Sequence, residues 1–284
     1  MALGLLLALM KHPISGEEVK FWQAVRKEFY LRDDITYLQG GTVGPSVRPT
    51  IERVHELQRF LEEDPLHHRY SGLLVESRER SREKLARFLG TRSERIALVL
   101  NTTMAMNIPA RGLQIEAGGE ILMGDQEYAS TRNIWQETAR RNGLSVRFVE
   151  LPMMPCNPDE IVDAFAASMN PNTKVVLFSH VYFTTGLVTP VAKLTAMVHD
   201  NGAVVVVDGA HAPGMVPLEL DEWDCDFYGA SCHKWLLAPK GVGFAYVAER
   251  HAGNMEPPLL GFAQQESSDA QRFEAPGVCD WTHA

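Results

Sequence analysis

Along this chain, short apolar runs alternate with stretches whose apolar residues recur at helical spacing. The runs Ile96 to Leu100, Glu120 to Met123, Ser145 to Leu151, Lys174 to Ser179, Ala203 to Val207 and Asp226 to Ser231 predict strands. Their near-continuous apolar character, AVVVV above all, is that of strands covered on both faces of a parallel sheet. Helices are predicted between them, from about Glu127 to Arg141, after Pro158, and from about Pro190 to Asp200. Upstream, Ile51, Val54, Leu57 and Leu61 form one helical stripe, and a second helix runs to Leu89 with Gly90 as its stop. The charge run ESRERSREK on that second helix reads as a solvated face. Ser15 and Glu18 have capping-box spacing for a helix that sets Trp22, Val25 and Phe29 on one face, packed outside the main body. The rhythm contains no internal repeat and predicts an α/β fold, a mainly parallel, doubly wound sheet with helices on both faces.

In open sheets of this kind ligands bind beyond the carboxyl ends of the strands. What each strand delivers there is therefore the chemistry to examine. The Ala203 to Val207 strand delivers Asp208, with His211 three residues later. The Asp226 to Ser231 strand delivers Ser231, Cys232, His233 and Lys234 in one turn. Asn101, Thr102 and Thr103 follow the Ile96 to Leu100 strand at a helix start, where unpaired amides favour an anion, although the same residue types serve as plain N-caps. An amine, a carboxylate at a neighbouring strand end and hydroxyls for a phosphate form the set that a pyridoxal phosphate site requires. Lys174, Lys193 and Lys240 lack the hydroxyl and histidine that precede Lys234. Cys232 alternates away from these neighbours and reads as core. Gln39 to Pro45, QGGTVGP, is a turn whose backbone can approach a ligand closely, and Tyr128 in DQEYAS either packs at a helix start or stacks on a ligand ring. His180, Tyr182, Thr184 and Thr185 follow the Lys174 to Ser179 strand at the same edge.

DGAHAPG from Asp208, followed by SCHKW from Ser231, resembles the signature of the class V aminotransferase family of fold type I pyridoxal phosphate enzymes. YLQGGTVGP from Tyr37 and SHVYFTTGLVTPV from Ser179 are most similar to its isopenicillin N epimerase branch, and the match runs from about Tyr37 to Phe262. The resemblance implies that Lys234 holds pyridoxal 5'-phosphate as a Schiff base and moves the substrate's α proton. It implies that Asp208 keeps the pyridine nitrogen protonated and that His211 lies near the phenolic oxygen. It assigns Thr102, Thr103, Ser231 and His233 to the phosphate and Tyr128 to the pyridine face. The expected protein is a homodimer acting on an amino acid or related amine, by epimerisation or transamination. Cysteine desulfurases carry an asparagine near Tyr182; desulfurisation or sulfur–carbon lysis is one alternative, and a truncated, non-catalytic binding module is another. The implied division is an N-terminal helical segment over 1–35, a large cofactor-binding domain over 36–262, and the start of a largely absent small domain over 263–284. In that last part Gly277, Val278, Cys279 and Asp280 stand where relatives read Gly-Thr-Arg-Asp.

Composition changes this picture little. With 284 residues, 45% hydrophobic and 22% charged, the chain suits a globular enzyme with one large core. A net charge of -9 argues against a nucleic-acid partner. The four cysteines, Cys156, Cys225, Cys232 and Cys279, have no metal-ligand spacing and suit a reduced, cytoplasmic setting without a metal. Met1 to Met10 is apolar, yet it is too short to span a bilayer and lacks a basic start and a cleavage site; a trimmed export signal is its other reading.

Overall fold

The computed structural model describes residues 15–70, 72–259, 268–274 and 282–283. Met1 to Met10, the boundary at Phe262 and the stretch Gly277 to Asp280 lie outside the described residues. In chain order the helices and strands are α1 (Gly16–Lys27), α2 (Arg48–Glu63), α3 (Pro65–Tyr70), α4 (Leu73–Phe88), β1 (Ile96–Val99), α5 (Thr102–Gly112), β2 (Glu120–Gly124), α6 (Ala129–Asn142), β3 (Ser145–Val149), α7 (Asp159–Ser168), β4 (Thr173–Ser179), α8 (Val191–Asp200), β5 (Val204–Asp208), α9 (Leu220–Trp223), β6 (Phe227–Ser231), β7 (Gly243–Val247) and α10 (Glu249–Ala252). Short 3-10 turns lie at Ser93–Arg95 and Ala270–Phe273.

The strands form one seven-stranded sheet in the order β1-β7-β6-β5-β4-β2-β3. The β3, β2, β4, β5 and β6 neighbours pair in parallel, whereas β7 runs antiparallel to both β6 and β1. Strand β7 is an addition to the sequence reading: its GFAYV has no alternation and few β-branched residues, so only its pairing partners mark it as a strand. Successive side chains of β5 enter different cores, Val205 and Val207 on one side of the sheet and Val206 on the other. This is the two-faced burial that a parallel central strand demands.

Two helical readings change. The capping box at Ser15 and Glu18 is present, but α1 buries none of its residues, Trp22 is 61% exposed, and Phe29 lies beyond the helix in a bridge with Val47. The charge run on α4 is not wholly solvated, because Arg82 is fully buried. Its guanidinium bonds Glu79, the Ile96 carbonyl at 2.9 Å, and Glu274, whose carboxylate also accepts the Leu98 N–H at 2.8 Å. Ala270 and Phe273 are buried in the same core as β1, so residues 268–274 are tied to the large sheet. Breaking a buried ion pair strands the remaining charge, and Arg82→Ala is expected to lower stability by about 3 to 5 kcal/mol. A loss of less than about 1 kcal/mol in the unfolding free energy from urea titration would contradict that assignment. Among the described residues no helix is long and apolar enough to cross a membrane.

Candidate active site

Strands β5 and β6 are parallel neighbours, and both terminate at the edge predicted to bind the ligand. Asp208, the last residue of β5, is 4% exposed and accepts hydrogen bonds from Thr131 Oγ1 at 2.6 Å and from the Ala210 N–H at 3.0 Å. Burial raises the carboxyl pKa, opposed by these two bonds and by the nearby charge of Lys234. A buried carboxylate so placed favours a cationic partner.

Beyond β6 the chain turns and presents Lys234, half-buried, with Nζ 3.2 Å from His211 Nε2. On the other side of that imidazole, Trp235 Nε1–H donates to Nδ1 at 3.2 Å. Indole nitrogen is only a donor, so Nδ1 accepts and the neutral ring carries its proton on Nε2, facing the lysine. Burial, reinforced by the lysine charge, holds His211 down at about 4. Burial also lowers Lys234, with Asp208 pulling the other way. The chain Trp235 to His211 to Lys234 thus sets a ring N–H against the lysine nitrogen, an arrangement that favours the uncharged amine. The turn is strained: Leu237, whose N–H donates to the Lys234 carbonyl at 3.3 Å, has a φ of 57° without being glycine.

The glycine-rich loop lies against this turn. The Gly44 N–H donates to the His233 carbonyl at 2.7 Å, and a β-carbon at Gly44 would overlap the Lys234 carbonyl oxygen. A β-carbon at Gly41 would fall 3.2 Å from His211 Cε1. Lys240, read as an unused lysine, ties the loop down by donating to the Gly44 carbonyl at 2.9 Å and to Ser46 Oγ at 3.1 Å. Of the other lysines weighed against Lys234, two are spent on the surface, Lys174 on the Pro171 carbonyl and Lys193 on Asp159.

At the start of α5, Asn101 caps the helix by accepting the Met104 N–H, as its type suggests. Thr102 is buried and bonds Ser231 twice, through its N–H at 3.0 Å and between hydroxyls at 2.8 Å. Thr103 is exposed and its hydroxyl makes no bond among the described residues, so the structure separates the two threonines that the sequence grouped. His233 is half-buried, its Nδ1 has no hydrogen-bond partner, and burial followed by the Lys234 charge lowers its pKa. Tyr128 is 49% exposed, with its ring centroid 5.9 Å from Lys234 Nζ. His180 and Tyr182, by contrast, are buried: His180 Nδ1 pairs with the Tyr228 hydroxyl at 2.9 Å and its pKa falls to about 4 by burial. Thr184 is exposed and Thr185 bonds Gln126, so none of the four reaches Lys234. Cys232 is core as read, with burial pushing its thiol up to about 12.

The sequence pattern described as aminotransferase class-V matches residues 60–277. The chain belongs to the class V aminotransferase family. Among its relatives in this family the chain is 42% identical to an isopenicillin N epimerase from Amycolatopsis lactamdurans over 89% of its own length, and it spans 65% of that relative, less than two thirds. In structure it is similar to a cystine C–S lyase in complex with its product cysteine persulfide, with a TM-score of 0.81, 25% identity, and 88% and 69% of the two chains covered. It is also similar to a cysteine desulfurase from Thermococcus onnurineus NA1, with a TM-score of 0.79, 26% identity, and 92% and 67% covered. The mostly parallel sheet flanked by helices is the fold type I architecture of the class V aminotransferases. Their cofactor is pyridoxal 5'-phosphate, and the donor set fits it. A partnerless imidazole nitrogen and two buried hydroxyls at a helix N-terminus suit a phosphate, a buried carboxylate suits a pyridinium, and the amine suits the aldehyde.

Within this class V site, Thr102→Val removes a buried hydroxyl donor, at a cost of about 1 to 3 kcal/mol toward a charged acceptor. Cofactor affinity, measured by equilibrium dialysis, is expected to fall roughly tenfold or more. Thr103→Val is expected to change it little, and equal losses in the two variants would reject the distinction.

Sequence reasoning missed Thr131, Trp235, Lys240 and Glu127. Trp235 alone carried a signal, since it lies within SCHKW. Glu127 is 3% exposed and accepts two bonds from Ser179.

Proposed function

We propose that this chain carries the cofactor site of a pyridoxal phosphate-dependent enzyme that acts on α-amino acids by removing the proton from Cα. The observation that supports it most is the placement of Lys234, its amine 3.2 Å from His211 and lowered in pKa by burial, near the buried Asp208. When bound, the cofactor supplies an electron sink for the charge left on the substrate. Lys234 would be its covalent anchor and, with its amine free, the base that takes the α proton. His211 keeps that amine oriented, and Thr131 and the Ala210 N–H keep Asp208 in place to neutralise a pyridinium. Thr102, Ser231 and His233 hold the phosphate. Tyr128 covers one face of the site. The loop around Gly44 closes over the Lys234 turn.

Reprotonation of Cα from the opposite face gives epimerisation, the reading carried by the 42% identical relative. Cleavage of a carbon–sulfur bond is the second reading, carried by the structural likeness to a C–S lyase and to a desulfurase and by sequence likeness to cysteine desulfurases. A desulfurase needs a thiolate nucleophile. Among the described residues Cys225 and Cys232 are buried with thiol pKa values raised by burial, and Cys156 is exposed in the loop before α7.

Incubation in deuterated water with alanine, cysteine and cystine separates these outcomes. Deuterium at Cα with an inverted centre marks epimerisation, and pyruvate with released sulfur marks lysis. No Cα exchange with any amino acid, from chain that has taken up the cofactor, would reject the base role of Lys234. A homodimer is part of this proposal; light scattering at micromolar concentration is expected to give twice the mass of one chain, and an active monomer would contradict it.

A further inference from the structure

Three consecutive residues of the loop between β2 and α6 are held by the segment that begins at the end of β4. Thr185 Oγ1 donates to Gln126 at 3.2 Å. Ser179 donates twice to Glu127, from N–H to Oε1 at 2.8 Å and from Oγ to Oε2 at 2.6 Å. Phe183 meets Tyr128 edge-on with ring centroids 5.3 Å apart. Of these loop residues only Glu127 is buried, whereas Tyr128 is half exposed. Ser179 is in register with Asp208, and Thr131, three residues beyond Tyr128, bonds Asp208. Both ends of the segment 127–131 are thus tied to the strand edge that carries the site.

A carboxyl group is a costly way to fill such a position. Glu127 is enclosed and lies in the field of Asp208, and burial first, then that charge, push its pKa up to about 8. An apolar side chain of similar volume would pack there at less cost. What it could not do is accept both Ser179 donors. We propose that Glu127 is a positioning residue of this site: its two hydrogen bonds from Ser179 fix the height and tilt of the Tyr128 ring over Lys234, and so over the cofactor ring. The inference rests on Lys234 being the cofactor anchor.

The titratable groups facing Glu127 are Asp208 at the end of β5 and Tyr182, whose hydroxyl is buried beside the carboxyl without a hydrogen bond of standard geometry; Asp125 acts on Tyr182 in turn. A folded-state pKa above the ordinary 4.5 gives stability that is present below that pH and lost as the pH rises to about 8. Glu127→Gln cannot ionise and lacks this loss.

The test compares wild type, Glu127→Gln, Glu127→Ala, Tyr128→Ala and the double Ala variant. Each is titrated with pyridoxal 5'-phosphate, read by fluorescence for affinity and by visible circular dichroism for ring tilt. Glu127→Gln is expected to keep the dichroic band and its Kd within about threefold, while Glu127→Ala loses most of the band and binds roughly tenfold more weakly. Tyr128→Ala should do the same, and the double variant should be no worse than either single one, because the two residues act as a unit. Additive losses, or a Gln variant as poor as Ala, overturn the inference. If Glu127→Ala fails to fold, Ser179→Ala, which removes the hydroxyl bond alone, takes its place under the same criterion. The melting temperature of wild type is also expected to fall relative to Glu127→Gln between about pH 5 and pH 8; parallel curves contradict the buried carboxyl. A wild type with no visible band at all rejects instead the reading of Lys234.

Discussion

Lys234→Ala is expected to give a folded protein without the visible band of the lysine-bound cofactor and without measurable turnover. The band depends on a covalent bond to an amine, and the three other lysines of the sheet region, Lys174, Lys193 and Lys240, are engaged elsewhere. Lys174 and Lys193 are exposed and engaged on the surface, and Lys240 is committed to the Gly44 loop. Two losses combine in catalysis, since the variant lacks both the anchor and the base. General-base action alone contributes about 10²- to 10⁴-fold, so the fall is at least of that size. The fold should survive because Lys234 is only half-buried, makes one side-chain hydrogen bond, and lies in a turn rather than in the sheet. Unchanged far-ultraviolet dichroism together with a lost visible band is the expected pair of observations. A retained band would move the anchor to another residue.

Asp208→Ala is expected to separate binding from chemistry. Lys234 and the phosphate donors remain, so the cofactor is still taken up and the visible band persists. What disappears is the negative charge that favours a protonated pyridine, and with it the electron sink. Loss of one preorganised electrostatic partner costs roughly 10² to 10³ in rate at other enzyme sites, and a fall in kcat of that order is expected here. Asp208→Asn should fare no better, because its amide oxygen can accept the Ala210 N–H and its NH2 can face the Thr131 hydroxyl, but it carries no charge. Thr131→Val should be milder, about 1 kcal/mol, since it removes one of the two hydrogen bonds that orient the carboxylate. Cα hydrogen exchange in deuterated water reads all three. An Asp208→Asn enzyme with wild-type exchange would mean that the carboxylate serves the fold and not the reaction.

The central sheet and the paired strand ends were legible because both rest on local pattern. Five β-branched or alanine residues ending in an acid can only be a covered strand with its carboxylate at the tip, and SCHKW after a second such strand brings the amine beside it. What escaped the reading depends on pairing between distant residues. Thr131 contacts Asp208 across 77 positions, and nothing in ASTRN distinguishes it from a helix-surface threonine. Glu127 sits in DQEY, a polar stretch with the composition of an exposed loop, and is buried only because Ser179 comes to meet it. Arg82 sits in a charge run whose other members keep at least partial exposure, and Glu79 beside it with Glu274, 192 residues on, makes its burial tolerable. Strand β7 was hidden for the same reason, since small residues and aromatics without alternation are a strand only by virtue of β1 and β6 on either side.

The identity of the covalent anchor is open to a single direct measurement. The purified chain is loaded with pyridoxal 5'-phosphate, reduced with borohydride to make the linkage permanent, digested, and the modified peptide sequenced by mass spectrometry. The site geometry predicts one stoichiometric pyridoxyl group, on Lys234 in the peptide that contains SCHKW. A label on Lys174, Lys193 or Lys240 in its place, or a label spread evenly over all the lysines, would contradict the assignment of this turn as the cofactor site.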